Sequence, residues 1–339
     1  MNSNEKFNRF ELNTIGLSET SPSTELWFPI PEDGDVNQES KININNIRIA
    51  NDFMPAVADY LDKTLEDFTG YSKKRNDGFV IALSGGIDSA LNTMIIKEYC
   101  NVTGNEMRIA IMGQGNPNVD SNNYLGNYAE WLDIQFAKQL CTDLNLDFTY
   151  IDIYNEYEES KKYYKKEWSI NSQLPRIRAN HLYSLAEEHD LIAVGSTNGS
   201  ELILSSFSTG GPAGNIAPLI DLYKVEVYGL AIELGLPDYI INRKPLISEL
   251  NIADDQLYGG ELIDSTNIDP ILRRLWYLKK SPEKISKDLG HSKKWINDIY
   301  KKRIVGESAR RGYKSLIINR PIIYKDIEPD VYLNRDYFI

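Results

Sequence analysis

Residues 79–91 read Phe-Val-Ile-Ala-Leu-Ser-Gly-Gly-Ile-Asp-Ser-Ala-Leu, and the string Ser84-Gly-Gly-Ile-Asp-Ser89 within them is suited to phosphate chemistry. The apolar run Phe79 to Leu83 predicts a buried strand, Ser84-Gly85-Gly86 a tight turn, and Asp88 onward a helix with Leu91, Ile95 and Ile96 on its apolar side. A glycine turn between a strand and a helix N-terminus leaves unpaired backbone N–H groups and the positive end of a helix dipole facing one small space, where an anion is the expected occupant. Gly85 and Gly86 permit close backbone approach, and Ser84 and Ser89 add hydroxyls. A carboxylate cannot bind phosphate directly, so Asp88 implies a bridging Mg²⁺. The string is neither a Walker A loop nor Gly-x-Gly-x-x-Gly. The plainer alternative is a glycine turn with an aspartate near a helix cap.

A second set of small polar residues stands at another strand end. Leu191 to Val194 predicts a short buried strand, and Gly195-Ser-Thr-Asn-Gly-Ser-Glu201 follows it, again ending on a carboxylate.

Elements that would position these groups can be read along the chain. Residues 1–45, rich in Ser, Asn, Glu and Pro, predict an irregular extension, with Trp27-Phe-Pro-Ile30 as an anchor. Ile47 to Phe68 predicts an amphipathic helix with Ile49, Phe53, Val57, Tyr60, Leu61 and Leu65 on one side. Further strands are expected at 107–112 and 147–153, and helices at 122–144, 154–168, 175–189 and 224–234, the last stopped by Gly235. Alternating strands and helices predict an α/β fold built on a doubly wound, mainly parallel sheet with helices on both faces. In such a sheet the polar segment 113–123 borders the ligand crevice, while the small-residue loop 205–218 reads either as a cover over a ligand or as a simple connector. Residues 242–267 read as irregular, helices are expected at 268–278, 282–289 and 293–304, and strand-like stretches from about 315 onward as a packed tail.

Composition narrows the function. With 37 basic and 49 acidic residues the net charge is −12, which argues against nucleic-acid binding. The helix pair 281–299 therefore reads as a superficial match to a helix-turn-helix. No apolar run is long enough for a membrane span or a signal peptide, so a cytoplasmic protein is expected. Cys100 and Cys141 lie in apolar helical patterns and are expected to be buried thiols. The three histidines, His181, His189 and His291, have no metal-ligand spacing.

Ser84-Gly-Gly-Ile-Asp-Ser89 resembles the pyrophosphate loop of the N-type ATP pyrophosphatases, which cleave ATP between the α and β phosphates to adenylate an oxygen. Later segments resemble one branch, the NAD synthases: Val194-Gly-Ser-Thr-Asn-Gly-Ser-Glu201, Ile216-Ala-Pro-Leu-Ile-Asp-Leu-Tyr-Lys-Val-Glu-Val227, Leu230-Ala-Ile-Glu-Leu-Gly-Leu-Pro237, Lys244-Pro-Leu-Ile-Ser-Glu-Leu250 and Glu307-Ser-Ala-Arg-Arg311. They occur in family order over about 46–320. The resemblance implies an adenine-nucleotide alpha-hydrolase-like, Rossmann-like domain at 46–315, with 1–45 as an extension and 316–339 as a tail packed on it.

It also implies roles. Ser84, Gly85, Gly86 and Ser89 would hold the pyrophosphate of ATP, with Ser196, Ser308, Arg310 and Arg311 nearby. Asp88 and Glu201 would bind Mg²⁺. Lys224 and Arg178 would stabilise charge at the reacting phosphate, Asp88 acting with them, and Arg176, Asn198 and Asn215 would lie toward the acceptor. The implied reaction is ATP-dependent amidation of deamido-NAD by ammonia to NAD, releasing AMP and pyrophosphate. A homodimer is expected, and no glutaminase is visible, so ammonia would be free or supplied by a separate partner.

The chain departs from the family pattern in one stretch. Where the family has Thr-Lys-Tyr/Phe-Gly-Asp-Gly-Gly-x-Asp, this chain has Ser-Thr-Gly-Gly-Pro-Ala-Gly-Asn, with Asn215 at an acidic position, no lysine, and Ala217 where the family has Asn. A pyrophosphatase that amidates a different nucleotide or small-molecule acceptor is the alternative, and a non-catalytic nucleotide-binding protein a more distant one.

Overall fold

The computed structural model describes residues 48–71, 78–114, 124–204, 213–242, 265–278 and 280–300. Four strands form the sheet: β1 (Gly78–Ala82), β2 (Glu106–Gly113), β3 (Phe148–Asp152) and β4 (Ile192–Val194). Their order is β3-β2-β1-β4 and every pairing is parallel, with Phe79 opposite both Met107 and Ile192, and Ile109 opposite Phe148.

Helix α1 (Ala50–Tyr71) precedes β1, α2 (Ile87–Thr103) joins β1 to β2, and α3 (Tyr124–Asp143) joins β2 to β3. The return from β3 to β4 carries α4 (Tyr154–Lys161), α5 (Glu167–Asn171) and α6 (Gln173–Glu188). Beyond β4 come α7 (Gly199–Ile203), α8 (Lys224–Glu233), α9 (Asp238–Ile241), α10 (Ser265–Leu272), α11 (Pro282–Leu289) and α12 (Lys293–Asp298).

Both faces of the sheet are covered, which is why the strands read as continuous apolar runs. Phe79, Ile81, Ile109, Ile111, Ile192 and Val194 face the core shared with α1, α2, α3 and α8. The alternate positions Val80, Ala110, Met112 and Ala193 pack with Leu182 and Ala186 of α6 on the other side. Winding β1-β2-β3 outward and returning to β4 reverses the strand order between β1 and β4. Ligands of doubly wound sheets bind at such a reversal, beyond the C-terminal strand ends. A separate cluster of Ile203, Ile268, Ile271, Leu272, Leu275, Ile285, Ile296 and Ile299 joins α7 to α10, α11 and α12.

The apolar stripe of α1 is as expected, with Ile49, Phe53, Val57 and Leu61 buried. Its N-terminus is held from afar: Ile49 N and Ala50 N donate to Glu233 Oε2 at 2.7 and 2.9 Å. Cys100 and Cys141 are free and buried, and burial pushes their thiols up to about 12 and about 11.

Two expectations need correction. The helix expected at 154–168 breaks after Lys161. No residue of α4 is buried and Tyr163 is 74 % exposed, so no packing rewards continuation. The helix expected at 268–278 is α10 followed by a π-helical turn, Arg273–Tyr277, closed by Leu278 N donating to Arg273 O at 3.0 Å. The wider turn falls where Arg273 and Arg274 are buried. The extension expected at 1–45, residues 115–123, 205–212 and 243–264, and the chain beyond 300 lie outside the described residues.

Candidate active site

The loop after β1 braces itself. Ser89 Oγ donates to Gly86 O at 3.0 Å and accepts from Ser84 N at 3.1 Å, and the Ser84 and Ser89 hydroxyls lie 2.9 Å apart. Gly86 N donates to Ser84 Oγ at 3.3 Å. Ser89 is buried and acts as the brace, whereas Ser84 is exposed. Gly85 has φ +85°, and a Cβ there would come within 2.2 Å of the Asp133 carbonyl oxygen in α3. Glycine is required by conformation and by this close approach together. Gly86 is the N-cap of α2 and no side chain caps that helix. The first-turn N–H groups are thus directed at the crevice, as an anion site requires.

The segment after β4 faces this loop. Asn198 caps α7: its side chain accepts from Glu201 N at 3.0 Å, while Asn198 N donates to Glu201 Oε2 at 3.3 Å. The remaining amide hydrogens are aimed across the crevice, and Asn198 Nδ2 donates to Asp88 Oδ1 at 2.9 Å. Asn198 is fully buried. It therefore joins the two carboxylates Asp88 and Glu201, and the structure places it as a strut between them and not on an open acceptor surface.

Lys224, at the start of α8, completes the group. Its ammonium pairs with Asp88 Oδ2 and lies 5.9 Å from the centre of the Tyr228 ring. Burial disfavours the charge, but the Asp88 and Glu201 carboxylates outweigh it and hold the ammonium above its ordinary pKa. Lys224 is consequently a fixed cation and not a proton acceptor. Asp88 and Glu201 offer hard carboxylate oxygens of the kind Mg²⁺ takes, and the ammonium already drawn to Asp88 shows that the site favours positive charge. Among the described residues no cluster of three or more His, Cys, Asp or Glu side chains could hold a metal ion by itself. A metal here would draw its other ligands from water and phosphate.

The other expected residues divide. Arg176 and Arg178 lie in the first two turns of α6 and both are half-buried. Ser196 is half-buried in the link from β4 to α7. Asn215 Oδ1 accepts from Ala193 N at 2.9 Å, and Asn215 N donates to Ala193 O at 2.7 Å. The side-chain carbonyl of Asn215 is thereby committed to the edge of β4. Tyr183 of α6 clamps the neighbouring residue, its hydroxyl accepting from Gly214 N at 2.8 Å and donating to Gly214 O at 3.3 Å. Ser308, Arg310 and Arg311 lie outside the described residues.

Asn198 was expected toward the acceptor, although Asn-x-x-Glu before an apolar run is also a capping-box pattern that signals its role as a strut. Two residues escaped the sequence reading. Ser200 and Asp269 had no usable signal, because Asp269 lies in a segment that reads as an ordinary helix. Glu226, beside them in α8, is buried; burial pushes its carboxyl up to about 8, with help from Asp269 and Asp221 and against the Tyr223 N–H and Arg273.

A glycine loop at β1, a capped carboxylate at β4 and a lysine between them, set at the reversal of a parallel sheet, are the arrangement that the resemblance to the N-type ATP pyrophosphatases implies. Comparison with known proteins narrows this. The NAD synthase family model matches residues 58–311. The NH(3)-dependent NAD(+) synthetase of Thermococcus kodakarensis is 31% identical over 241 residues, covering 70% of this chain and 85% of the relative. Two solved structures share the fold, each with a TM-score of 0.57 over 79% of this chain. They are an NH3-dependent NAD synthetase from Campylobacter jejuni (23% identity, 98% of that chain covered) and an NMN synthetase from Francisella tularensis (24% identity, 97% covered). The chain belongs to the NAD synthase family.

Proposed function

We infer that this chain is an ammonia-dependent ligase that converts deamido-NAD, ATP and ammonia into NAD, AMP and pyrophosphate. The observation that carries this reading is the meeting of Asp88, Asn198, Glu201 and Lys224 at one point of a chain whose family match spans all four.

In the proposed reaction the carboxylate of deamido-NAD attacks the α phosphorus of ATP. The bond to the bridging oxygen breaks and pyrophosphate leaves. Ammonia then attacks the acyl carbon of the adenylate, AMP departs with the C–O bond electrons, and one proton is lost. Ammonia is itself nucleophilic, so no general base is obligatory. The N–H groups of the Ser84–Ser89 loop and the start of α2 hold the phosphates. Lys224 places a permanent positive charge where negative charge grows on the phosphorus. Asp88 and Glu201 would hold Mg²⁺, which would neutralise the leaving pyrophosphate. Arg178, with Arg176 beside it, and Ser196 are proposed to line the nucleotide site, and Ser308, Arg310 and Arg311 to approach it from the late segment.

Residues 46–315 are proposed as the catalytic unit, with 1–45 and 316–339 appended to it. A homodimer, a cytoplasmic setting, and ammonia taken free or from a separate glutaminase belong to the same proposal. No helix among the described residues is long and apolar enough to cross a membrane.

A second reading, amidation of another nucleotide or small molecule, draws on the altered stretch before Ile216, where Asn215 is fastened to β4. One assay separates the two. Purified protein is given ATP, Mg²⁺, ammonium and deamido-NAD, and AMP and NAD are quantified. Equimolar AMP and NAD are expected. AMP without NAD moves the assignment to another acceptor, and neither product in a protein that binds Mg·ATP overturns the proposed reaction.

A further inference from the structure

Asp269 has no part in the mechanism above, yet the site is tied to it. It lies in α10 and is wholly buried (0% exposed), where an aspartate must have partners. Oδ1 accepts the Ser200 hydroxyl at 2.6 Å and Oδ2 accepts Val225 N at 2.9 Å. The Ser200 oxygen accepts Lys224 N at 2.9 Å. One carboxylate therefore collects the first two N–H groups of α8, one directly and one through a hydroxyl that belongs to α7. Ser200 is next to Glu201 and Val225 is next to Lys224. Lys224, which pairs with Asp88, and Glu201, which is linked to Asp88 through Asn198, thus each adjoin a residue held by this one carboxylate.

The arrangement is electrostatically favourable, since a carboxylate at the start of α8 meets the positive end of the helix dipole. It is also stiff. Two separated acceptors fix both the rotation and the advance of the first turn of α8, and so the origin of the Lys224 side chain. A stem of four methylenes leaves the ammonium wide freedom unless its backbone is held.

We propose that Asp269 is a positioning residue for the adenylation step, acting through Ser200 and the first turn of α8 to aim Lys224 at the reacting phosphate. The proposal rests on the reading of Asp88, Glu201 and Lys224 as the Mg·ATP site.

The test is a double-mutant cycle of Asp269→Asn against Lys224→Met, with Ser200→Ala as a second probe that removes only the hydroxyl. Asparagine keeps the shape. Its carbonyl can still accept from Val225 N, but its amide must donate to Ser200, which leaves the serine proton without an acceptor. Single-turnover AMP formation, Mg·ATP affinity and thermal unfolding are measured for each variant. Asp269→Asn is expected to slow AMP formation about 10- to 100-fold, the usual effect of losing a group that orients an active residue, with Ser200→Ala about tenfold slower than wild type. In the Lys224→Met background the further loss should fall below about twofold, since the residue being aimed is gone. An equal factor in both backgrounds would make Asp269 a merely structural residue and overturn the proposal, as would wild-type rates for both single variants. If wild type forms no AMP with deamido-NAD, the acceptor assignment fails by itself. The same cycle is then read on Mg·ATP affinity, where coupling between Asp269 and Lys224 supports the proposal and strict additivity overturns it. Should Asp269→Asn fail to fold, the Ser200→Ala and Lys224→Met cycle decides by the same criteria.

Discussion

The two rims of the crevice are built in opposite ways. After β1, the loop is braced by bonds between residues two to five apart: Ser84 with Ser89, Gly86 with Ser84, and Ser89 with Gly86. After β4, apart from the local Asn198–Glu201 cap, the bonds span the chain. Asn198 reaches Asp88 across 110 residues, Lys224 reaches Asp88 across 136, Ser200 reaches Asp269 across 69, and Tyr183 reaches Gly214 across 31. The first rim can take its shape as soon as its strand and helix form. The second exists only after α6, α7, α8 and α10 have docked. The β1 rim should therefore be sensitive to local changes, and the β4 rim to changes far along the chain.

The largest expected effect is at the point where the rims touch. Asp88→Asn removes the carboxylate that meets both Asn198 and Lys224 and should lower AMP formation by about 10³-fold, read in the coupled AMP and NAD assay. A variant that kept most of the activity would mean that the contact between the rims is structural only. Gly85→Ala probes the first rim alone. It combines a left-handed φ with a backbone collision at Asp133 O, and should destabilise the fold by about 3 kcal/mol. Urea unfolding checks this, and an unchanged midpoint would show that the loop and α3 have room to part. Tyr183→Phe probes the second rim. Loss of both bonds to Gly214 should cost about 1 kcal/mol of stability and raise the acceptor KM more than the ATP KM, because Gly214, next to Asn215, loses its anchor. Equal changes in both KM values would count against that division of the site.

A pH-dependent effect concerns Glu226. Its carboxyl sits at about 8 in the fold against an ordinary 4.5. Between those values the folded chain holds a proton that the unfolded chain has released, so this group's contribution to stability falls as pH rises through the window. Glu226→Gln removes the titration. Its melting temperature relative to wild type should rise between pH about 5 and about 8 and then level off. A constant difference across that range would place the titration elsewhere.

Much of the architecture is legible in local sequence. The strand, glycine turn and helix at 79–91 and the stripe of α1 can be read from apolar period and glycine placement. Ser281 and Ser292, which cap α11 and α12 by accepting from Lys284 N and Trp295 N, stand at the expected helix starts. The break after Lys161 was not legible, because a helix with no buried face has the same local propensity as one that packs. The embedding of Asn215 in the edge of β4 was hidden for a related reason: an asparagine that imitates a strand carbonyl looks like any exposed asparagine until the strand lies beside it.

By itself the sequence determined that a glycine turn opens a helix after the first strand and that a carboxylate follows the fourth strand. It also carried, through motifs in family order, the resemblance to the NAD synthases. Those features depend on residues close in the chain, whose backbone preferences act before anything else has folded. Only the tertiary structure decided that Asn198 bridges the two carboxylates, that Lys224 lies on Asp88, and that Asp269 anchors the first turn of α8. Each of these is a polar group removed from water, and such a group takes whichever partner the packing of distant elements brings within hydrogen-bond reach.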